Sequence, residues 1–154
     1  MAVSLLEGVV EECPLVPQER DDYCLCSVLQ AILKSYGRDF SQDEIAGNLT
    51  PGRREGFLID GEVIDSFMKG NGFDYQLYWH NMTPFNEPDF LLDSISSYRG
   101  FVALDHHVYL LRDFKDPTVS LVDPKNGYLV QHNLFKVRMM MDRLGGGFGV
   151  VKEL

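Results

Sequence analysis

Apolar residues recur at Leu25, Val28, Leu29, Ile32, Leu33 and Tyr36, the i, i+3, i+4, i+7, i+8, i+11 spacing of a helix that buries one broad stripe. This pattern predicts a helix that begins at Asp22 or Tyr23 and runs to Tyr36, with Asp21 or Asp22 as N-cap and Gly37 closing the far end. Ser41-Gln-Asp-Glu44 is a capping box. It opens a short helix that turns Ile45, Ala46 and Leu49 inward before Pro51-Gly52 stops it. Asp60 caps a third helix with Val63, Ile64, Phe67 and Met68 inward, ended by Gly70 and Gly72. The period then changes: Tyr75 to Trp79 reads as a strand, and Pro88-Asp89 opens a helix carrying Phe90, Leu91, Leu92 and Ile95 that ends at Gly100.

From Phe101 the pattern is mainly strand. Phe101 to Leu104, His107 to Leu111, Val119 to Val122 and Tyr128 to Val130 are separated by Asp113 to Pro117 and by Pro124-Lys-Asn-Gly127. Connections this short join antiparallel neighbours. Asn133 to Leu144 reads as a late helix with Leu134, Val137, Met141 and Leu144 on one face, and Phe148 to Lys152 as a closing strand. Helices fill the first two-thirds and a small antiparallel sheet the last third, so the expected class is α+β. No repeat or low-complexity linker interrupts the chain, which reads as one unit over residues 1–154.

Composition narrows the partners. With 14 basic against 23 acidic side chains the formal charge is −9 over 154 residues, which argues against nucleic acid or an anionic membrane, since both require clustered Lys and Arg. No apolar run approaches the ~20 residues of a membrane span, and Glu7, Glu11 and Glu12 interrupt the N-terminal apolar residues before a signal core is complete. Three cysteines, Cys13, Cys24 and Cys26, are an odd count that fits free thiols in a reducing, cytoplasmic setting. A CxC with four dispersed histidines is poor metal arithmetic.

The candidate chemistry begins at Cys24. It lies in the first turn of the best helix, outside its apolar stripe, where unpaired N–H groups and the helix dipole favour a thiolate. A small cysteine filling space is the competing reading of the same position, and Cys13 and Cys26 read as passive. Asp105-His106-His107 stands at the mouth of a strand, where an imidazole serves as base or is simply solvated. Asp123 ends the next strand, and in a hairpin of the two the first residue of one arm lies near the last of the other, so His107 and Asp123 become neighbours. A carboxylate there fixes the tautomer of the imidazole and stabilises its charged form. Gln18, six residues before Cys24 in the loop leading into the helix, can donate to an oxyanion beside the backbone N–H of Cys24. Alone, each piece is ordinary; together they are an ordered Gln, Cys, His, Asp set.

That set, carried mainly by the segment from Gln18 to Gly37, resembles the papain-like (clan CA) cysteine peptidases. It is most similar to the peptidase domains that trim double-glycine leaders from bacteriocins, in which a Gln, five residues, the nucleophile Cys and a helix ending in Tyr-Gly recur; the segment from Gly56 to Phe73, and Asp123-Pro124 with Gly127, suit that family too. A second resemblance is to josephin-type ubiquitin hydrolases, through the same helix, Gly61 to Gly72 and Gly149-Val-Val-Lys152, although the Gln-to-Cys spacing here is one residue longer. Tyr23-Cys24-Leu25 stands where the double-glycine peptidases usually have Asp-Cys-Gly. Josephins usually follow the catalytic His with Trp, whereas His or Val follows here. His107 is the favoured base and His106 the alternative, because an aromatic residue often follows the His in the peptidase family and His107 can fill that place.

The resemblance implies a papain-like fold, N-terminal helices packed on a small C-terminal antiparallel sheet. It implies amide hydrolysis through an acyl-enzyme at Cys24, with no metal or organic cofactor. Acyl transfer through the same intermediate, and a non-catalytic peptide- or protein-binding module on the same fold, are the alternatives. The implied partner is a peptide or protein substrate, a leader peptide or a ubiquitin-like tail; both end in Gly-Gly before the cleaved bond. Such a substrate needs a narrow groove, for whose wall Tyr78, Trp79 and His80 are candidates, although aromatics at a strand end more often fill a core.

Overall fold

The structure is a computed structural model and describes residues 15–49, 61–79, 99–104 and 107–154. Cys13, the Pro51-Gly52 stop, the Asp60 cap, His80, the helix expected from Pro88, and the Asp105-His106 pair lie outside the described residues. Three helices come first: α1 (Cys24–Ser35), α2 (Gln42–Leu49) and α3 (Gly61–Gly70). They are followed by β1 (Phe73–Trp79), β2 (Arg99–Leu104), β3 (His107–Lys115), β4 (Thr118–Val122), β5 (Leu129–Asn133), α4 (Leu134–Leu144) and β6 (Gly146–Glu153).

Each helix end has a local cause. Gly37, at φ 82°, sends its N–H to the Lys34 carbonyl while the Arg38 N–H reaches Leu33, the paired bonds of a glycine-terminated helix. Ser41 and Glu44 exchange backbone-to-side-chain bonds at 3.0 Å in both directions, as the capping box predicts. Asn133 caps α4, its side chain accepting the Phe135 N–H.

Among the described residues, six strands form one antiparallel sheet in the order β1-β6-β2-β3-β4-β5. The sheet is therefore larger than a C-terminal piece: β1 forms one edge, and the last strand of the chain inserts between β1 and β2. Side chains alternate across it with period two. Phe101, Leu110 and Val151 join α1, α2 and α3 in one cluster, while Val102, Leu111 and Val150 pack with Leu134, Val137 and Met141 of α4 on the other face. Helices thus cover both faces, α1, α2 and α3 on one and α4 on the other. Gly149 pairs with Phe101 across the ladder and has no room for a side chain, because a Cβ there would sit 2.3 Å from the Phe101 ring.

Two strands depart from the apolar runs. β3 continues through Asp113 to Lys115 because the register shifts between Leu111 and Asp113, a bulge that absorbs the polar residues without ending the pairing. β5 runs to Asn133 although Gln131 and His132 are polar, since it is an edge strand; Gln131 bonds the Ser120 hydroxyl at 3.1 Å.

Helix α1 is buried on nearly all sides, Cys24 to Leu29 without a break and then Ala31, Ile32 and Leu33. The single apolar stripe accounts for the side against the sheet. The opposite side is covered by α2 and by the extended segment entering the helix, where the Ser27 hydroxyl donates to the Val16 carbonyl at 2.6 Å and Leu15 packs on the core. Burying Leu29, Ile32 and Leu33 contributes about 1.5–3 kcal/mol each, which fixes α1 against the core. None of the described helices is long and apolar enough to cross a membrane.

Candidate active site

Cys24 is the first residue of α1, and the N-cap is Tyr23, with φ −101°, ψ 22° and no side-chain capping bond. The expected cap, Asp21 or Asp22, is displaced because the chain turns tightly before the helix. The Tyr23 N–H bonds the Arg20 carbonyl at 3.1 Å, which puts both aspartates inside the turn. The Tyr23 hydroxyl donates to Asp43 at 2.8 Å, and the Arg20 guanidinium lies 5.6 Å from the Tyr23 ring centre. The first N–H groups of the helix have no intrahelical partner, and the Tyr23 side chain makes no capping bond to them.

His107 opens β3, and its Nε2 lies 2.7 Å from Asp123 Oδ1. With Nε2 donating to the carboxylate, Nδ1 is the nitrogen left to take a proton from the Cys24 thiol. The imidazole pKa is raised, above all by its hydrogen bond with Cys24 and further by Asp123, with burial opposing both. Tyr109 lies two residues along the same strand and meets the His107 ring edge to face, centroids 4.7 Å apart at 88°. Burial, then the charges of Asp123 and Cys24, raise the Tyr109 hydroxyl pKa.

The expected contact between His107 and Asp123 is present, but by a different register. Leu110 pairs with Val122, so one further step places Asp123 opposite Tyr109 and leaves His107 on the diagonal. The bond forms because Asp123 leaves the ladder into a turn. Its carbonyl accepts the Gly127 N–H at 2.7 Å, its N–H bonds the Tyr128 carbonyl, and its Oδ1 also accepts the Lys125 N–H at 2.9 Å. Gly127, at φ 77°, is the residue that lets this turn close.

Gln18 lies on the segment beside this turn, its N–H bonded to the Pro124 carbonyl at 2.7 Å. Its side-chain nitrogen donates to the carbonyls of Arg20 and Asp21, each at 2.9 Å, and its Oε1 is shielded with no partner. The amide therefore closes the turn before α1 instead of presenting its hydrogens at the sulfur.

Cys26 is fully buried, and burial, with the nearby Cys24 adding to it, pushes its thiol up to about 12. Cys24 and Cys26 are both free thiols. Tyr78, a candidate for the groove wall, is half-buried against the cluster on the α4 face, and its strand is separated from β3 by β6 and β2. Trp79 ends that same strand. Among the described residues no group of three His, Cys, Asp or Glu is placed to hold a metal ion.

Two residues escaped the reading of the sequence. Tyr109 was visible as the next same-side position after His107. Gln42, fully buried at the start of α2 and bonded to the Gln18 segment, carries no sequence signal, because a polar residue behind an N-cap is ordinarily solvated.

No protein-family model and no curated protein matches the sequence. Solved structures do. A double-glycine motif protease from an AMS/PCAT transporter, solved in complex with the leader peptide, superposes with a TM-score of 0.67 at 16% identity, covering 96% of each chain. The peptidase domain of Streptococcus ComA, a bifunctional ABC transporter of a quorum-sensing pathway, superposes with a TM-score of 0.67 at 18% identity, covering 92% of this chain and 99% of that one. The fold is the papain-like α+β fold, in the form seen in these double-glycine peptidase domains.

Proposed function

We propose that this chain is a cysteine peptidase that cleaves a peptide after Gly-Gly through an acyl-enzyme at Cys24. The observation that carries the reading is the 2.7 Å bond of His107 Nε2 to Asp123 at the start of β3, with Cys24, the first residue of α1, acting on the same imidazole, set on a fold shared with double-glycine peptidases. Cys24 gives its proton to His107 Nδ1 and its sulfur attacks the carbonyl carbon, while Asp123 holds the resulting imidazolium. The negative oxygen is met by the backbone N–H of Cys24 and by Gln18, whose amide exchanges one of its loop carbonyls for the substrate oxygen. His107 then returns the proton to the leaving amine as the carbon–nitrogen bond breaks, leaving a thioester. A water gives a proton to His107 and its oxygen attacks the thioester; the carboxylic acid departs and the sulfur regains its proton.

A leader peptide is the substrate class favoured here, because the first of these structural neighbours was solved with one. The test pairs a peptide aldehyde ending in Gly-Gly with a ubiquitin suicide probe, on the native protein and on Cys24→Ala. Covalent capture of the aldehyde at Cys24, with turnover of the matching peptide lost in Cys24→Ala, is the expected result. Capture of the ubiquitin probe alone changes the substrate class, and no turnover by the native protein removes the peptidase reading.

A further inference from the structure

We infer that Gln42 is a positioning residue for the candidate site: it clamps the backbone on both sides of Gln18 and so sets where that amide stands relative to Cys24. The inference rests on the peptidase reading for its consequence, but on geometry for the clamp. Residues 15–18 lead toward α1 without secondary structure, so apart from the Gln18 N–H, bonded to the Pro124 carbonyl, their backbone polar groups need side chains for partners. Gln42 supplies them. Its Oε1 accepts the Glu19 N–H at 2.9 Å, and its Nε2 reaches the carbonyls of Val16 at 3.2 Å and Pro17 at 3.1 Å.

The clamp is itself anchored. Gln42 Nε2 also lies 3.1 Å from Gln30 Oε1, and Gln30 donates to the Phe40 carbonyl at 3.0 Å, tying the amide to the middle of α1 and to the chain before α2. The Ser41–Glu44 capping box fixes the backbone of Gln42, and full burial leaves no water to replace the bonds. Pro17 and Glu19 flank Gln18 and are both held by this one side chain. No bond of Gln42 goes to Cys24, His107 or Asp123. The backbone held by Gln42 sets where the Gln18 amide stands when it turns from its loop carbonyls to the oxyanion, and displacement by about 1 Å costs on the order of 100-fold in rate.

The test uses the full chain with Gln42→Ala and Gln42→Glu, the latter keeping the acceptor for Glu19 and losing the amide donors. Both are expected to lower kcat on a Gly-Gly peptide by roughly 10- to 100-fold, with KM little changed. Iodoacetamide alkylation of Cys24, which needs no oxyanion donor, should keep its rate and pH profile. In Gln42→Glu, activity relative to native should recover as pH falls and the protonated acid regains one donor. Amide hydrogen exchange supplies a readout free of turnover: Gln18 and Glu19 are expected to lose protection in Gln42→Ala.

A kcat within about twofold of native in both folded variants overturns the inference and leaves the peptidase reading standing. A joint fall of kcat and alkylation also overturns it, as does loss of folding in both variants, since Gln42 would then hold the fold instead of the loop. If the native protein turns over no Gly-Gly peptide, the peptidase reading fails by itself, and unchanged protection at Gln18 and Glu19 then rejects the clamp as well.

Discussion

Replacing Asp123 by Asn removes a charge while leaving an oxygen at Oδ1 for both His107 and the Lys125 N–H. Hydrogen bonds to charged groups contribute about 1.5–3 kcal/mol and neutral ones about 0.5–1.5, so the substitution should cost the charged imidazole roughly 1–1.5 kcal/mol. Solvent does not erase this difference, since the two side chains are only 29% and 18% exposed. The His107 midpoint should therefore fall, because the Asp123 carboxylate is one of the groups that raise it. The direction of the pH dependence follows from the raised folded-state value of His107. A raised histidine stabilises the fold fully below its unfolded value, and that contribution disappears as pH rises through the folded value. Asp123→Asn should therefore melt below native by the largest margin on the acid side of neutrality, and the margin should close in alkaline solution. Ring-proton titration of His107 by NMR and thermal melts across this range measure both quantities. An unchanged His107 midpoint, or a stability gap that widens with rising pH, would refute the argument.

Iodoacetamide near neutral pH should label Cys24 and leave Cys26 untouched in the folded protein, because Cys26 is fully buried with its thiol at about 12; peptide mapping reads the outcome, and labelling of Cys26 at a comparable rate contradicts it. Gly149→Ala forces a Cβ to 2.3 Å from the Phe101 ring and should destabilise by about 1–3 kcal/mol or more, visible as a lower urea midpoint; a neutral result means the ring has room to move. Burial raises the Asp113 carboxyl pKa, with Lys115 and the Phe114 N–H opposing. Its charged form therefore costs stability once pH passes the unfolded value, so Asp113→Asn should be more stable than native near neutrality and lose that advantage as pH falls, as melts from acid to neutral pH would register.

The elements that were legible in advance are those whose signal is local. The α1 stripe, the Ser41 capping box, the alternation from Phe101 onward and Asn133 before α4 all act within a few residues, through spacing or a bond to the nearest backbone. Cys24 and His107 were legible for the same reason, each standing at an element boundary. Elsewhere a local reading misplaced the detail. Asp21 and Asp22 look like caps until the Arg20 turn excludes them, and Asp113 looks like a loop until the bulge carries β3 past it.

Among the described residues, the sequence by itself determined which segments are helix or strand, that the class is α+β, and that a thiol, an imidazole and a carboxylate occur at ends where side chains can meet. Tertiary structure decided what they meet. The insertion of β6 between β1 and β2 placed Tyr78 on the α4 face. The turn after β4 brought Asp123 back onto His107 along a diagonal no spacing rule contains. The covering of both sides of α1 gave a buried Gln42 the backbone of residues 16–19 as its partner. Spacing encodes direction within an element, whereas these contacts join elements whose relative position is settled only when the apolar faces of sheet and helices close on one another.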